Sequence, residues 1–540
     1  MKKIIISISC SLTLLACTKK ESVDLIVTNG NIYTVNDDFD KVDAFAVKDG
    51  KFVAVGTSKD ILDIYETEKT IDAKGQTITP GLIDGHCHFY GLGLNQQVVD
   101  LVGTKSFDEV VQRIVDFQED KKASFIQGRG WDQNDWKVKE FPVKDTLDIL
   151  FPDTPLAIER VDGHAFLANQ KALDLAGIDE NTKMAGGSVV LKNGKPTGIL
   201  VDRPMSLVEA VIPQPSKATQ IRALIEAENI CFSLGLTTVN DAGLSKEVIY
   251  LIDSLQNTGD LKMRVYAMAS NYPENLDHFL TKGKIKTDRL NVRSVKVYGD
   301  GALGSRGATL KEPYSDHDGH FGAMITPADQ MESLANRIVG AGYQMNTHAI
   351  GDSANIVVLR TYKKALKGKK DMRWKVEHAQ VITDNDFDYF NDNIIPSVQP
   401  THATSDMYWA GDRLGEERVK GAYAFKTLLN KSGTVVLGTD FPVERVSPFL
   451  TFYAAVARKD LDNYPEGGFQ MENALSREET LKGMTIWAAH SNFEEDEKGS
   501  IEVGKFADFV ILDKNIMEVD ASQIPTTKVE ATFLNGEKVN

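Results

Sequence analysis

Eight short apolar runs separated by helical stretches constrain this chain more than any other feature, because that alternation is what a parallel β/α architecture requires. The runs are Gln76 to Asp84, Thr237 to Asp241, Arg264 to Ala269, Ser294 to Tyr298, Gln344 to Thr347, Trp374 to Glu377, Ile394 to Val398 and Val435 to Leu437. Eight is the number that closes a (β/α)8 TIM barrel. Such a barrel needs about 250 residues, so a chain of 540 holds it with a large insertion and a smaller companion unit. The barrel is placed at 79–498.

Two segments lack the β/α rhythm. Residues 24–78 and 499–540 both show short alternating runs broken by Asn-Gly and Asp-Gly turns, the texture of hairpins. Together they predict a small β-sandwich domain built from both chain ends. The stretch between the first two barrel runs, about 89–236, is far longer than a crossover needs and predicts an inserted subdomain over the mouth of the site.

The first residues belong to none of these units. Lys2 and Lys3 precede an apolar stretch from Ile4 to Leu15, and the stretch ends Leu14-Leu15-Ala16-Cys17. That is the layout of an export signal, too short to span a bilayer once mature, and its last four residues look like a lipoprotein lipobox. Residues 1–16 are read as a lipoprotein signal peptide, Cys17 as the lipidated first residue, and 17–23 as a tether. The expected location is the bacterial cell envelope, facing the periplasm or the surface, with the membrane reached through the lipid anchor. With Cys10 removed and Cys17 lipidated, Cys87 and Cys231 remain, and both are expected free and buried.

The 61 basic against 77 acidic residues give a formal charge of −16, which opposes a nucleic-acid partner. A small-molecule substrate is expected instead, and a homo-oligomer is compatible with the composition.

The chemistry starts at His86-Cys87-His88, which follows the apolar run ending in Ile83-Asp84-Gly85. Residues two apart on a strand share a face, so the two imidazoles turn inward together while Cys87 faces the helices. His348, His378 and Asp440 follow the fifth, sixth and eighth runs in the same manner. A lone histidine is usually a satisfied core residue. Ligand-type side chains at the C-terminal ends of four barrel strands make a metal site instead. Lys296 lies between Val295 and Val297 on the fourth run, and a lysine pointing inward there is costly without a role.

The sequence resembles the amidohydrolase superfamily from about residue 24 to 540, in particular its YtcJ-like branch of metal-dependent hydrolases that includes N-substituted formamide deformylases. The likeness rests on Pro80-Gly-Leu-Ile-Asp-Gly-His-Cys-His88, Gly130-Trp-Asp132, Asp162-Gly-His164, Lys296 with Asp300-Gly-Ala-Leu-Gly304, His348-Ala-Ile-Gly-Asp352, Glu377-His-Ala-Gln380, Gly438-Thr-Asp440 and Gly504-Lys-Phe-Ala-Asp508. It implies one divalent metal on His86, His88 and Asp440, a second on His348 and His378, and Lys296 carboxylated by carbon dioxide as the bridge. Zinc suits imidazole and carboxylate donors, and iron, manganese or nickel accept similar ones. A metal of this kind makes hydroxide available near neutral pH and polarises a carbonyl. Asp440 is then expected to move the proton from water to the leaving nitrogen.

The implied reaction is hydrolysis of a C–N bond in an amide, formamide or cyclic amide. The same site would serve an ester, lactone or phosphotriester hydrolase, and a lipoprotein that binds a ligand without chemistry stands behind both. Four further residues are candidates for substrate contact. His164 either faces the substrate or caps a helix. Trp131 and Asp132 form a pocket wall and a polar contact, or the indole is core. Arg306 binds an oxyanion or pairs with a carboxylate.

Overall fold

The computed structural model describes residues 19–160, 165–184, 187–304 and 306–540. Its central sheet joins, in order, β1 (Leu82–Cys87), β2 (Leu236–Leu244), β3 (Arg264–Ser270), β4 (Leu290–Tyr298), β5 (Gln344–Ala349), β6 (Trp374–His378), β7 (Ile394–Val398) and β8 (Val436–Leu437), each parallel to the next. These are the eight expected strands, and the expected fold class holds. The strands are buried along nearly their whole length because helices cover the outside and side chains fill the inside.

Beyond their ends, β1 and β8 meet through Asp440 N–H donating to the His86 carbonyl at 2.8 Å and His88 N–H donating to the Phe441 carbonyl at 2.8 Å. Two glycines make this approach feasible. A Cβ on Gly438 would lie 2.5 Å from His86 N, and one on Gly85 would lie 2.2 Å from Val436 Cγ1. Asp84 bolts the seam from inside, accepting from Thr439 Oγ1 at 2.7 Å and from the His86 and Thr439 amides at 3.1 Å each.

The first apolar run proves to be two strands. Thr77–Pro80 belongs to a peripheral sheet, where it pairs with Phe509–Leu512 and Asn31–Tyr33, and only after Gly81 does the chain enter the barrel as β1. That six-stranded sheet draws on both chain ends. A four-stranded sheet of Lys51–Gly56, Ala44–Lys48, Leu25–Thr28 and Thr70–Asp72 accompanies it, and Phe45, Phe52, Phe509 and Phe533 share one apolar cluster. Glu21–Ser22 pairs with Tyr65–Glu66, so the end of the tether segment is held to this unit.

After β1 the chain builds a separate six-stranded sheet from residues 99–202, with its own core around Ile126, Trp131, Trp136 and Ile158. Cys87 and Cys231 are free and buried, as expected. No helix among the described residues is long and apolar enough to cross a membrane. The signal segment and Cys17 lie outside the described residues.

Candidate metal centre

The C-terminal mouth of the barrel gathers six of the sequence-predicted residues: His86 from β1 and His88 just past it, Lys296 from β4, His348 from β5, His378 from β6, and Asp440 just past β8. Adjacent rings lie close, with centroids 5.8 Å apart for His86 and His88, 5.0 Å for His86 and His378, and 4.5 Å for His348 and His378. Asp440 Oδ1 is 3.2 Å from His88 Nε2 and 3.6 Å from His86 Nε2. Lys296 Nζ sits 3.1 Å from His86 Nε2.

Three of the histidines are oriented by a partner on the other ring nitrogen. His86 Nδ1 faces Glu377 Oε2 at 2.5 Å, His88 Nδ1 faces the Ala242 carbonyl at 3.1 Å, and His378 Nδ1 faces Gln399 Oε1 at 2.7 Å. Each partner oxygen can only accept, so each Nδ1 must donate and each Nε2 lone pair is left toward the centre. This is the arrangement in which outer partners fix the tautomer of metal-binding histidines.

The electrostatics agree. Burial, reinforced by Lys296, pushes His348 down to about 3, and burial with His348 beside it pushes His378 well below the ordinary imidazole value. His86 is lowered by burial and then by Lys296. Burial keeps these three rings neutral at physiological pH. Burial opposes charge on Asp440, yet the hydrogen bond from His402 to Oδ2 holds its carboxyl well below the usual range. Glu377 is likewise held far down against its burial, by Lys375 and His86.

The donor set fits a divalent cation. His348 Nε2 and Asp440 Oδ1 are buried acceptors without a hydrogen-bond partner, and the His88 Nε2 lone pair faces that same Oδ1. Two acceptors turned toward each other are satisfied by a cation between them. His86, His88 and Asp440 form one such trio, and His378, His402 and Asp440 form a second. These support one or two divalent ions.

Sequence reasoning did not single out His402 or Glu377. His402 stands on the helix Pro400–Asp406 that follows β7, the one strand between the fifth and eighth for which no ligand was sought. The available signal was a histidine on the helix just past an apolar run, beyond the strand end where the other candidates stand.

Other candidates lie elsewhere or are otherwise engaged. Trp131 is fully buried in the core of the inserted subdomain and donates its indole N–H to the Ile158 carbonyl at 3.0 Å, which is the core-packing alternative. Asp132 pairs with Arg160 at 2.5 Å. Arg306 makes a two-pronged ion pair with Asp316, at 3.0 and 2.8 Å, which is the carboxylate alternative for that residue. His164 lies outside the described residues.

A metal centre at the C-terminal mouth of a (β/α)8 barrel defines a class of metal-dependent hydrolases, and the comparisons agree. The model of the amidohydrolase family matches residues 69–540, and the chain belongs to that family. It is a metal-dependent hydrolase of the amidohydrolase superfamily. It is similar to the putative amidohydrolase YtcJ of Bacillus subtilis, 31% identical over 531 residues that cover 94% of this chain and 98% of that one. The N-substituted formamide deformylase of Arthrobacter pascens is 24% identical over 546 residues, covering 95% and 97%. Among solved structures, an uncharacterized metal-dependent hydrolase from Pyrococcus furiosus is 29% identical with a TM-score of 0.78, covering 92% of this chain and all of that one.

Proposed function

We propose that the protein hydrolyses a C–N bond of a small amide, formamide or cyclic amide. The observation that carries this is the convergence of imidazoles on Asp440, a carboxylate both set among candidate cation ligands and able to move a proton. His86, His88 and Asp440 would hold one cation, His348 and His378 a second, and zinc is the ion that would suit the donors best. When bound, the cation supplies Lewis acidity, lowering the pKa of a water and polarising the carbonyl it attacks.

The chain's own residues do the rest. Glu377, Ala242 and Gln399 hold the imidazoles in their donor-inward tautomers. Asp440 takes the proton of the attacking water. It returns that proton to the nitrogen as the C–N bond breaks, which matters because an amide nitrogen leaves poorly unless protonated. That requirement favours C–N chemistry here, and the similarity to the formamide deformylase points the same way.

Lys296 is the residue we assign to carboxylation. Its burial depresses the ammonium to about 8, so free amine is accessible near neutral pH, and it lies against His86 between the two ligand groups. The free amine would add carbon dioxide and release one proton, giving a carbamate whose oxygens would serve as cation donors. We further assign the protein to the cell envelope, anchored by lipid at Cys17, on the strength of Leu14-Leu15-Ala16-Cys17.

Metal-replete protein assayed against matched amides and esters tests the reaction. Turnover of N-formyl or cyclic amides supports it, and robust ester turnover with none on amides overturns it.

A further inference from the structure

Asp440 carries two oxygens with different surroundings. Oδ1 faces His88 and His86, whereas Oδ2 faces His402 Nε2 at 3.3 Å. His402 Nδ1 in turn faces Glu444 Oε1 at 3.3 Å, and the same Oε1 accepts from Ser405 Oγ at 2.7 Å. The row runs Ser405, Glu444, His402, Asp440, and it ties the helix after β7 to the loop after β8 at two points four residues apart.

We propose that His402, backed by Glu444, is a positioning residue that holds Asp440 Oδ2 and so presents Oδ1 alone to the cation site. This rests on the reading of Asp440 as a cation ligand. Three observations carry it. Asp440 has a backbone φ of 62°, a left-handed conformation uncommon for a residue with a side chain, so its direction is set by surrounding contacts rather than by the strand. A carboxylate rotates about one bond and exchanges its oxygens unless one of them is held. The partner that holds it is half-buried, with 14% of its side chain exposed, and braced from behind.

The competing role for His402 is direct ligation of a second cation with His378 and Asp440. Its two ring nitrogens both face carboxylate oxygens. A ring that donates at both positions has no lone pair left for a cation.

Titration of the full-length, metal-stripped protein with Co2+ tests this without a known substrate, because affinity, stoichiometry and the visible absorption of bound cobalt are read together. His402→Phe removes both donors and is expected to weaken Co2+ binding about 10- to 100-fold, the usual effect of losing an outer partner of a ligand, with stoichiometry unchanged and the cobalt spectrum shifted. His402→Gln keeps a donor where Nε2 stood and recovers much of the affinity. Glu444→Ala, at a partly exposed position, moves affinity in the same direction and serves if the His402 variants do not fold.

Wild-type affinity and spectrum in folded His402→Phe, or in Glu444→Ala, overturns the proposal. Loss of one equivalent of cobalt in His402→Phe also overturns it, making His402 a ligand. Asp440→Asn separates the two readings: if it binds cobalt as the wild type does, the assignment of Asp440 fails. If Asp440→Asn loses cobalt while His402→Phe does not, only the positioning role fails.

Discussion

Asp508→Ala should cost more stability than any surface change, because it strands a buried guanidinium. Arg264 lies at the start of β3 with no exposed surface, and Asp508 immediately precedes the strand Phe509–Leu512 of the sheet that joins both chain ends. Arg264 Nε donates to Asp508 Oδ2 at 2.7 Å and its Nη2 to Oδ1 at 3.0 Å, while Asp508 Oδ1 also accepts from the Asn535 amide at 2.9 Å. Removing the carboxylate deletes both charge-assisted bonds and leaves that amide unpaired. Breaking a buried pair on one side costs about 3–5 kcal/mol. The guanidinium keeps the Asp288 carbonyl at 2.6 Å and Asn535 Oδ1 at 2.5 Å, so we place this variant at the lower end, about 3 kcal/mol.

The double variant Arg264→Met, Asp508→Leu removes both charges and should recover most of the loss, since an apolar replacement of a buried pair is often neutral. Urea unfolding of the wild type, Asp508→Ala and the double variant reads this. A single-variant loss below about 0.5 kcal/mol, the range of ordinary surface changes, or a double variant as unstable as Asp508→Ala, would refute the reasoning.

Other perturbations act nearer the mouth of the barrel. Gly438→Ala puts a methyl 2.5 Å from His86 N and 2.9 Å from Asp84 Oδ1. It should cost about 1–3 kcal/mol by overpacking and weaken metal binding by parting β1 from β8, as thermal unfolding and metal titration would show. Lys296→Ala should lose metal and activity together, with partial recovery when a short carboxylic acid is supplied. Intact mass and electron density on metal-replete protein must show the carbon dioxide adduct, and an unmodified ammonium there would sink the carboxylation. Cys17→Ala should release the protein from membrane fractions or block processing, and normal cleavage with unchanged membrane retention would contradict the anchor.

The barrel and most of the candidate ligands were legible in the sequence because period-two patterning puts His86 and His88 on one face and four of the eight apolar runs end beside a candidate ligand. What escaped has physical causes. Gln76 to Asp84 reads as one apolar run because both sheets it serves bury it. The change of sheet at Gly81 shows only in space, where a Cβ would lie 2.3 Å from Thr237 Oγ1. Glu377 escaped because alternation sends neighbours to opposite faces, and so should have pointed it away from His378. The chain leaves extended geometry at His378 and Ala379, with φ of 71° and 42°, so Glu377 and His378 both reach the site. His402 sits on a helix rather than at a strand end, outside the register that located the others. Trp131 carried no periodic signal that separates a pocket wall from a core, and only the neighbouring Trp136 and Ile158 decide it.

The central claim is a divalent metal site built on His86, His88 and Asp440. Elemental analysis of the purified full-length protein, repeated on Asp440→Asn, tests it most directly. The account predicts one or two tightly held equivalents of a transition metal, zinc first. In Asp440→Asn it predicts depleted metal and turnover lowered at least about 10²- to 10⁴-fold, the usual loss when an acid–base group is removed. Wild-type protein that holds no transition metal and takes none up on reconstitution, or an Asp440→Asn variant that keeps both its metal and near-normal turnover, would contradict it.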